Sequence, residues 1–446
     1  MTDLTMWLET TGALAGAGGL GYAKVRAPRV YWSLVGLPVT WGRFTITYRS
    51  TMDVCGLTVQ PSRLRAFIAR NVARREVLPV PPKVRRVRGT STGLRVTLRL
   101  PAGLEPADLM AASERLRHAW GVHSVTVAET KPGYVELRMT GYDVLSRVRM
   151  PRGARPDGLA VPVALREDGT AFVRDYRKVP MALTLGANNS GKSVYQRNLI
   201  SGLARLPVAL VGIDCKRGVE QKAYAPRLSA LATTPDDAAS LLDVLVAEME
   251  SRFDLLSSRG VSDVWELPAG LRPVPVVVLV DEVAELFLIS SRKDEERRER
   301  IVTALIRLAQ MARAVGIYLE VCGQRFGSEL GKGATMLRAQ LTGRVVHRVN
   351  DKQTAEMGLA DVAPDAVMAA GLIPAERPGT AVAADSSGGW AKIRTPHTSR
   401  DEVVAVCREF AHLVPDLSAL DPFRPHVPAV VPAPGVSLVK PLPVTD

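Results

Sequence analysis

The octet Gly186-Ala187-Asn188-Asn189-Ser190-Gly191-Lys192-Ser193 has the spacing GxxxxGK[ST]. Glycine at its first and sixth places lets the backbone turn tightly and lets an anion approach with no side chain in the way. The N–H groups of such a loop, and of a helix opening behind it, hold phosphate oxygens. Lys192 supplies a cation for the β- and γ-phosphates of a nucleotide, and the Ser193 hydroxyl supplies a ligand for Mg²⁺. A glycine-rich turn without a ligand is the competing reading. The flanks favour phosphate, because 181–185 reads as a short apolar strand and 194–203 as a helix.

A second signal is the run Pro275-Val276-Val277-Val278-Leu279-Val280-Asp281-Glu282. Apolar β-formers without alternation make a strand buried on both faces, as in a parallel sheet. Ligands of such sheets bind at the carboxyl ends of the strands, where this acidic pair falls. Asp281 would complete the Mg²⁺ shell with Ser193, and Glu282 would polarise an attacking water. Another apolar strand, 208–213, ends in Asp214-Cys215-Lys216, and its sequence leaves open whether those charges do more than end a strand. A fourth, 317–322, ends in Gly323-Gln324-Arg325, where the Gln324 amide can sense a γ-phosphate or orient water. The helix before it is read over 300–315. The basic segment 341–348 offers Arg344 and Arg348, either for a neighbouring subunit's nucleotide or as surface charges.

The elements that must position these residues alternate, strand then helix, from about residue 160, which is the pattern of an α/β domain around a mostly parallel sheet. Upstream, 93–100 alternates as a strand, 107–120 reads as one amphipathic helix, and 124–127 and 134–139 read as strands around the turn Lys131-Pro132-Gly133. That makes a small β-α-β-β unit. A helix is expected over 62–76, followed by a linker at Pro79, Pro81 and Pro82. Four regions result: 1–60, an apolar and basic N-terminal segment; 61–150, a helix, linker and small α+β domain; 151–395, the α/β domain; and 396–446, a helix and a largely unstructured Pro-rich tail.

The chain has 446 residues, with 58 basic and 45 acidic side chains and a formal charge of +13. Nucleic acid and an anionic membrane surface are the partners such a charge suggests, beside the reading of a plainly solvated Arg-rich surface. No acid interrupts Lys83, Arg85, Arg86, Arg88, Arg95 and Arg99, a stripe that suits phosphates or a solvated strand face. The weakly apolar stretch 4–23, followed by Lys24, Arg26 and Arg29, admits a membrane span, surface attachment or a soluble helical arm. A second apolar run, 31–41, carries Trp32 and Trp41 and suits an interfacial segment. The four cysteines, Cys55, Cys215, Cys322 and Cys407, lie far apart, which excludes a disulfide framework or a cysteine zinc cluster. His118 and His123 are not spaced as helix-borne ligands. A cytoplasmic location is expected, with attachment at the inner face of the cell membrane left open.

Taken in order, GANNSGKS, IDCKRGVE, MESRFDLL, VVLVDEVAEL and IRLAQMARAVGIYLEVCGQR resemble the motor domain of the FtsK/SpoIIIE family of DNA translocases, from Gly186 through Val349. The 93–139 unit looks like the small domain ahead of that motor. Overall size and the N-terminal segment are most like the plasmid-transfer Tra proteins of mycelial actinomycetes. The resemblance implies a RecA-like P-loop fold and a homo-hexameric ring that threads double-stranded DNA and hydrolyses ATP with Mg²⁺. It puts Arg344 at the family's "PTR" arginine, a finger acting in trans on the transferring phosphoryl group. Two places depart from the family: Gly323-Gln324-Arg325-Phe326 stands for TQRP, and IDCK for IDPK. No winged-helix DNA reader is expected after the motor, which leaves nonspecific phosphate contacts. Transfer or segregation of DNA is the function implied. A protein-secretion ATPase of the type VII kind is the alternative, although such enzymes usually carry several motors and this chain has one P-loop.

Overall fold

A computed structural model of the chain describes residues 22–427 apart from 23, 61–77, 152, 154 and 386–388. The stretch 4–23 (save Tyr22), the helix expected over 62–76 and most of the Pro-rich tail therefore lie outside the described residues. Two compact units form. One comprises 1–154, 163–172 and 391–396; the other comprises 155–162, 173–390 and 397–446.

In the first unit, helix α1 (Leu37–Val54) and the helices α2 (Pro106–Ala111) and α3 (Ser113–Trp120) cover one face of a four-stranded antiparallel sheet. Its strands are β1 (Lys83–Gly89), β2 (Gly93–Arg99), β3 (Ser124–Lys131) and β4 (Tyr134–Thr140), in the order β1-β2-β4-β3. Alternation works as expected on β2 and β4: Leu94, Val96, Leu98, Val135, Leu137 and Met139 point inward onto Phe44, Leu109, Leu116 and Trp120. The unit is thus β-β-α-α-β-β rather than β-α-β-β. Strand β1 escapes a period-two reading because a bulge at Arg85 shifts the register, leaving its inward residues Val84 and Val87 three apart. The helix expected over 107–120 breaks at Ala112, whose ψ of −3° ends α2. Within the run 31–41 Trp32 is buried, its indole N–H donates to the Thr90 carbonyl at 3.2 Å, and its ring fills the space left by Gly141, while Leu34, Val39 and Trp41 are exposed. A Cβ at Gly141 would lie 2.0 Å from that ring. Among the described residues no helix is long and apolar enough to cross a membrane.

Strands β5 (Ala160–Arg166) and β6 (Ala171–Asp175) follow. The second unit is built on β7 (Met181–Leu185), β8 (Ala209–Ile213), β9 (Ala230–Ala232), β10 (Val276–Val280), β11 (Ile317–Gly323), β12 (Gly343–His347) and β13 (Thr380–Ala384). Their order is β13-β12-β7-β11-β10-β8-β9, parallel throughout except for β12 with β13. Every residue of β7, β8, β10 and β11 is buried, the signature of strands covered on both faces. The fold is α/β, as the sequence implies. Helix α4 (Lys192–Leu203) returns from β7, and α5 (Pro235–Arg259) and α6 (Arg292–Met311) add Leu241, Leu245, Met249, Ile301, Leu305 and Leu308 to the core. Helix α5 opens on a Thr234 cap with Pro235 and closes on Gly260 at φ +66°, as its sequence specifies. Helix α6 starts eight residues before its expected start, because Ser291 caps a first half that is charged all round and carries no apolar period. Helix α7 (Arg400–Glu409) follows strand β14 (Trp390–Arg394), which pairs antiparallel with β5, Ile393 opposite Arg166.

The start of the Pro-rich tail is structured. Ser418–Phe423 forms a 3₁₀ turn that packs on β9 and α5, with Leu420 fully buried and Leu417 and Phe423 against the same core. Prolines block a helix there but not a hydrophobic anchor.

Candidate nucleotide site

Because β7, β8, β10, β11 and β12 run parallel, their carboxyl ends open on one edge of the sheet. Residues 186–191 link β7 to α4, and Lys192 and Ser193 are the first two residues of that helix. The loop is pinned by its neighbours: Gly186 N–H donates to the Gly323 carbonyl at 3.2 Å, and Ala187 N–H to the Arg348 carbonyl at 2.9 Å. Ser190 N–H closes back on Ala187 at 3.2 Å, while the Ser190 carbonyl accepts from Gly379 N–H at 2.8 Å. The N–H groups of Asn188, Asn189 and Gly191 donate to no backbone carbonyl among the described residues and so remain donors, with the helix start behind them.

The glycines are needed where they stand. Gly191 has φ +104°, and a Cβ there would sit 2.2 Å from the Gly379 nitrogen. A Cβ on Gly186 would lie 2.5 Å from the Ser190 hydroxyl. Asn189 also adopts a left-handed φ of +57°, a conformation asparagine tolerates.

Three donors converge on Glu282. Lys192 Nζ lies 3.2 Å and Lys216 Nζ 3.4 Å from Oε2, and the Gln324 backbone N–H donates to Oε1 at 3.2 Å. The strand ends thus bring Lys192, Glu282 and Gln324 together although 42 to 132 residues separate them in the chain. Beside them opens a cleft of about 440 Å³ lined by Ala187, Lys216, Glu282, Gln324, Arg325 and Asn350, among others. Asp281 is buried next to Glu282, and no hydrogen-bond donor meets its carboxylate among the described residues. Burial pushes its pKa up to about 6, with Lys192 and Lys216 pulling the other way and Asp214 and Glu282 adding to the rise. A buried, unpaired carboxylate of this kind is a hard-oxygen donor that suits a divalent cation.

Lys216 was undecided from sequence. The fold separates the charges at the end of β8: Asp214 is spent on its own turn, accepting from the N–H groups of Lys216, Glu220 and Gln221, and Lys216 reaches Glu282. The only sequence sign was a charge just past a buried strand.

The two arginines divide as well. Arg344 is not a surface charge. It sits inside β12 at 2% exposure, paired between β7 and β13, and Nη2 donates to the Arg338 carbonyl at 2.8 Å. Burial lowers its pKa to about 10. A finger acting on a neighbour needs a guanidinium at the surface, and this fold does not place Arg344 there. Arg348, just past the end of β12, is half-buried, and its Nη2 donates to the Asn188 carbonyl of the loop at 3.1 Å.

Comparison with known proteins agrees with this geometry. Residues 18–141 match the family profile described as "Actinomycete conjugal transfer protein N-terminal domain". Residues 144–270 and 265–328 match the FtsK/SpoIIIE family. The transfer protein TraSA of Streptomyces ambofaciens is 54% identical over 414 residues, covering 90% of this chain and all of that one. A Streptomyces azureus protein described as a sporulation regulatory protein is 86% identical over 270 residues, 60% of this chain and 89% of its own. Among solved structures, the pCW3 conjugation coupling protein TcpA, in its monomer form with ATPγS, superposes with a TM-score of 0.55 at 18% identity, covering 83% of this chain and 99% of that one, a likeness of fold. The chain belongs to the FtsK/SpoIIIE family of P-loop ATPases and, within it, to the actinomycete conjugal transfer proteins.

Proposed function

We propose that the protein is a Mg²⁺-dependent ATPase that translocates double-stranded DNA during conjugative transfer, working as a homo-hexamer in the cytoplasm at the inner face of the membrane. The observation that carries the reading is the meeting of Lys192, Lys216 and Gln324 on Glu282 at the mouth of the P-loop. Residues 186–193 hold the phosphates, with open loop N–H groups and the positive end of α4 as the anion site. Ser193 and Asp281 hold Mg²⁺, which neutralises charge on the phosphate oxygens when bound. Glu282 takes a proton from water, and the Gln324 side chain, whose backbone N–H already bonds Glu282, orients that water. A phosphate group drawing Lys192 toward itself would relieve Glu282 of one of its two cations, linking nucleotide binding to the base. Arg348 is the better placed of the two arginines for a role in trans, since it is only half-buried and already touches the loop.

Double-stranded DNA as the cargo is supported by the family and by the transfer protein at 54% identity. The test is the ATPase rate against added duplex DNA at two salt concentrations, with Lys192→Ala as control. Stimulation that weakens at the higher salt is expected. Steady hydrolysis indifferent to duplex would shift the cargo to a protein.

A further inference from the structure

We propose that the open face of the four-stranded sheet in the first unit is a docking surface for the sugar-phosphate backbone of duplex DNA. The proposal rests on the reading of the protein as a DNA translocase and names a surface for it on the unit that does not carry the nucleotide site.

The register decides which residues share that face. Val84 stands opposite Leu98 and Val87 opposite Val96, so these point into the core with the buried residues of β2. Lys83, Arg86 and Arg88 on β1, Arg95 and Arg99 on β2, and Arg138 on β4 therefore point the other way, and the bulge adds Arg85 at the edge. Lys83 faces Arg99, Arg88 faces Arg95, and Arg95 faces Arg138 across the ladder. Like charges directly opposite destabilise a sheet. The carboxylates at this surface, Glu136 and Asp168, both engage Arg138, at 2.8 and 3.5 Å. Among the described residues no carboxylate pairs with Lys83, Arg85, Arg86, Arg88, Arg95 or Arg99.

Edge protection explains only part of this. A lysine or arginine on β1 suffices to block edge-to-edge pairing. It does not call for Arg95 and Arg99 on the inner strand β2, nor for cations set opposite each other. A polyanion accounts for both, because its phosphates relieve the repulsion between facing cations. Alternate residues along a strand lie about 6.8 Å apart and neighbouring strands about 4.8 Å apart, a grid fine enough to follow a phosphate chain.

The chemistry of the face selects the polyanion. Its one outward aromatic, Tyr134, is half-buried under the Lys131 ammonium, 4.4 Å from the ring centre, so it offers no platform for unstacked bases. No outward asparagine or glutamine is present to read base edges. None of the exposed large apolar residues lies on β1 to β4, so nothing there inserts into a lipid surface. Sequence-independent contact with a duplex backbone fits these constraints.

The test uses the full chain and a fluorescent random-sequence duplex, with dissociation constants measured from 50 to 200 mM salt. The triple variant Arg86→Gln, Arg88→Gln, Arg95→Gln is expected to lower the slope of log K against log salt by about 2 to 3 and to weaken binding at least about tenfold at low salt. The matching triple Arg→Lys variant should keep both slope and affinity. Unchanged binding by the glutamine variant, with wild type binding duplex normally, would overturn the surface while leaving the proposed function intact. Failure of the wild type to bind duplex would overturn both. Equal loss with lysine in place of arginine would show that sheet shape rather than charge had been disturbed, and would also overturn the proposal. So would a glutamine variant that keeps duplex binding but loses binding to vesicles rich in anionic lipid, since the partner would then be a membrane.

Discussion

At Asp281, burial outweighs two nearby ammonium groups, and its folded pKa rises to about 6 against an ordinary 3.8. Between those values the folded state binds more protons than the unfolded one, so this carboxyl lowers stability as pH rises from about 4 to about 6. Above that window its full cost is present. Asp281→Asn should therefore stabilise the protein at pH 7 by about 1 to 3 kcal/mol in urea unfolding while abolishing Mg²⁺-dependent hydrolysis. An asparagine variant no more stable than wild type would contradict this account. His347 acts with the opposite sign. It is buried behind the loop, pairs through Nδ1 with the Thr380 carbonyl, and has its pKa lowered to about 4 by burial. Its contribution is complete above pH 6.5 and is lost as pH falls toward 4. The two largely offset each other in wild type, so the stability of Asp281→Asn should fall more steeply than that of wild type as pH drops through that window. For the chemistry itself, Lys192→Ala should cut ATP turnover at least about a hundredfold, and Glu282→Gln should bind ATP without turning it over. A Gln variant that no longer binds nucleotide would mean that Glu282 is not the base.

At the scale of elements, one loop and one turn carry the strongest expectations. Gly191→Ala must place a Cβ 2.2 Å from the Gly379 backbone at a φ of +104°. Backbone does not yield as a side chain tip does, so nucleotide affinity should fall by at least about tenfold, as read by titration with a fluorescent ATP analogue. Retained affinity would show that the loop can shift as a unit. Leu420 belongs to a turn that the sequence presents as Pro-rich tail, yet its side chain is 1% exposed. Leu420→Ala should cost about 2 to 4 kcal/mol in urea unfolding of the second unit, where a true tail residue would cost almost nothing.

For the whole molecule, the +13 charge is not spread evenly in sequence or in space. Among the described residues, five cations without a carboxylate partner lie on one sheet face of the first unit and Arg85 at its edge, whereas α5 and α6 answer charge with charge through Arg297–Asp236, Arg300–Asp243 and Arg307–Glu250. Those exposed helix pairs contribute little stability, and salt screens them. If the motor assembles as proposed, sedimentation with ATP and duplex DNA should show a species about six times 48.2 kDa. A monomer under the same conditions, with hydrolysis intact, would place the whole catalytic set within one chain. Mixing Arg348→Ala with Lys192→Ala subunits then tests action in trans, because each supplies what the other lacks. No recovery of activity in the mixture would count against it.

Sequence alone determined the GxxxxGK[ST] octet, the position of the Asp281-Glu282 pair at a strand end, the parallel α/β domain and the family. These are local: backbone torsions, apolar runs and a fixed order of short motifs carry them, and none needs a partner from elsewhere in the chain. Tertiary structure decided what depends on which strands become neighbours. It put Lys216 on Glu282 and kept Asp214 for its own turn, although both close the same strand. It sank Arg344 into the sheet and left Arg348 at the loop, four residues further on. It also drew Trp32 and Leu420 into cores from segments that read as surface or tail. The basic stripe shows the division most plainly. Its residues were visible in order, but a bulge at Arg85 hid their period, and only the pairing of β1, β2 and β4 shows that they share one face.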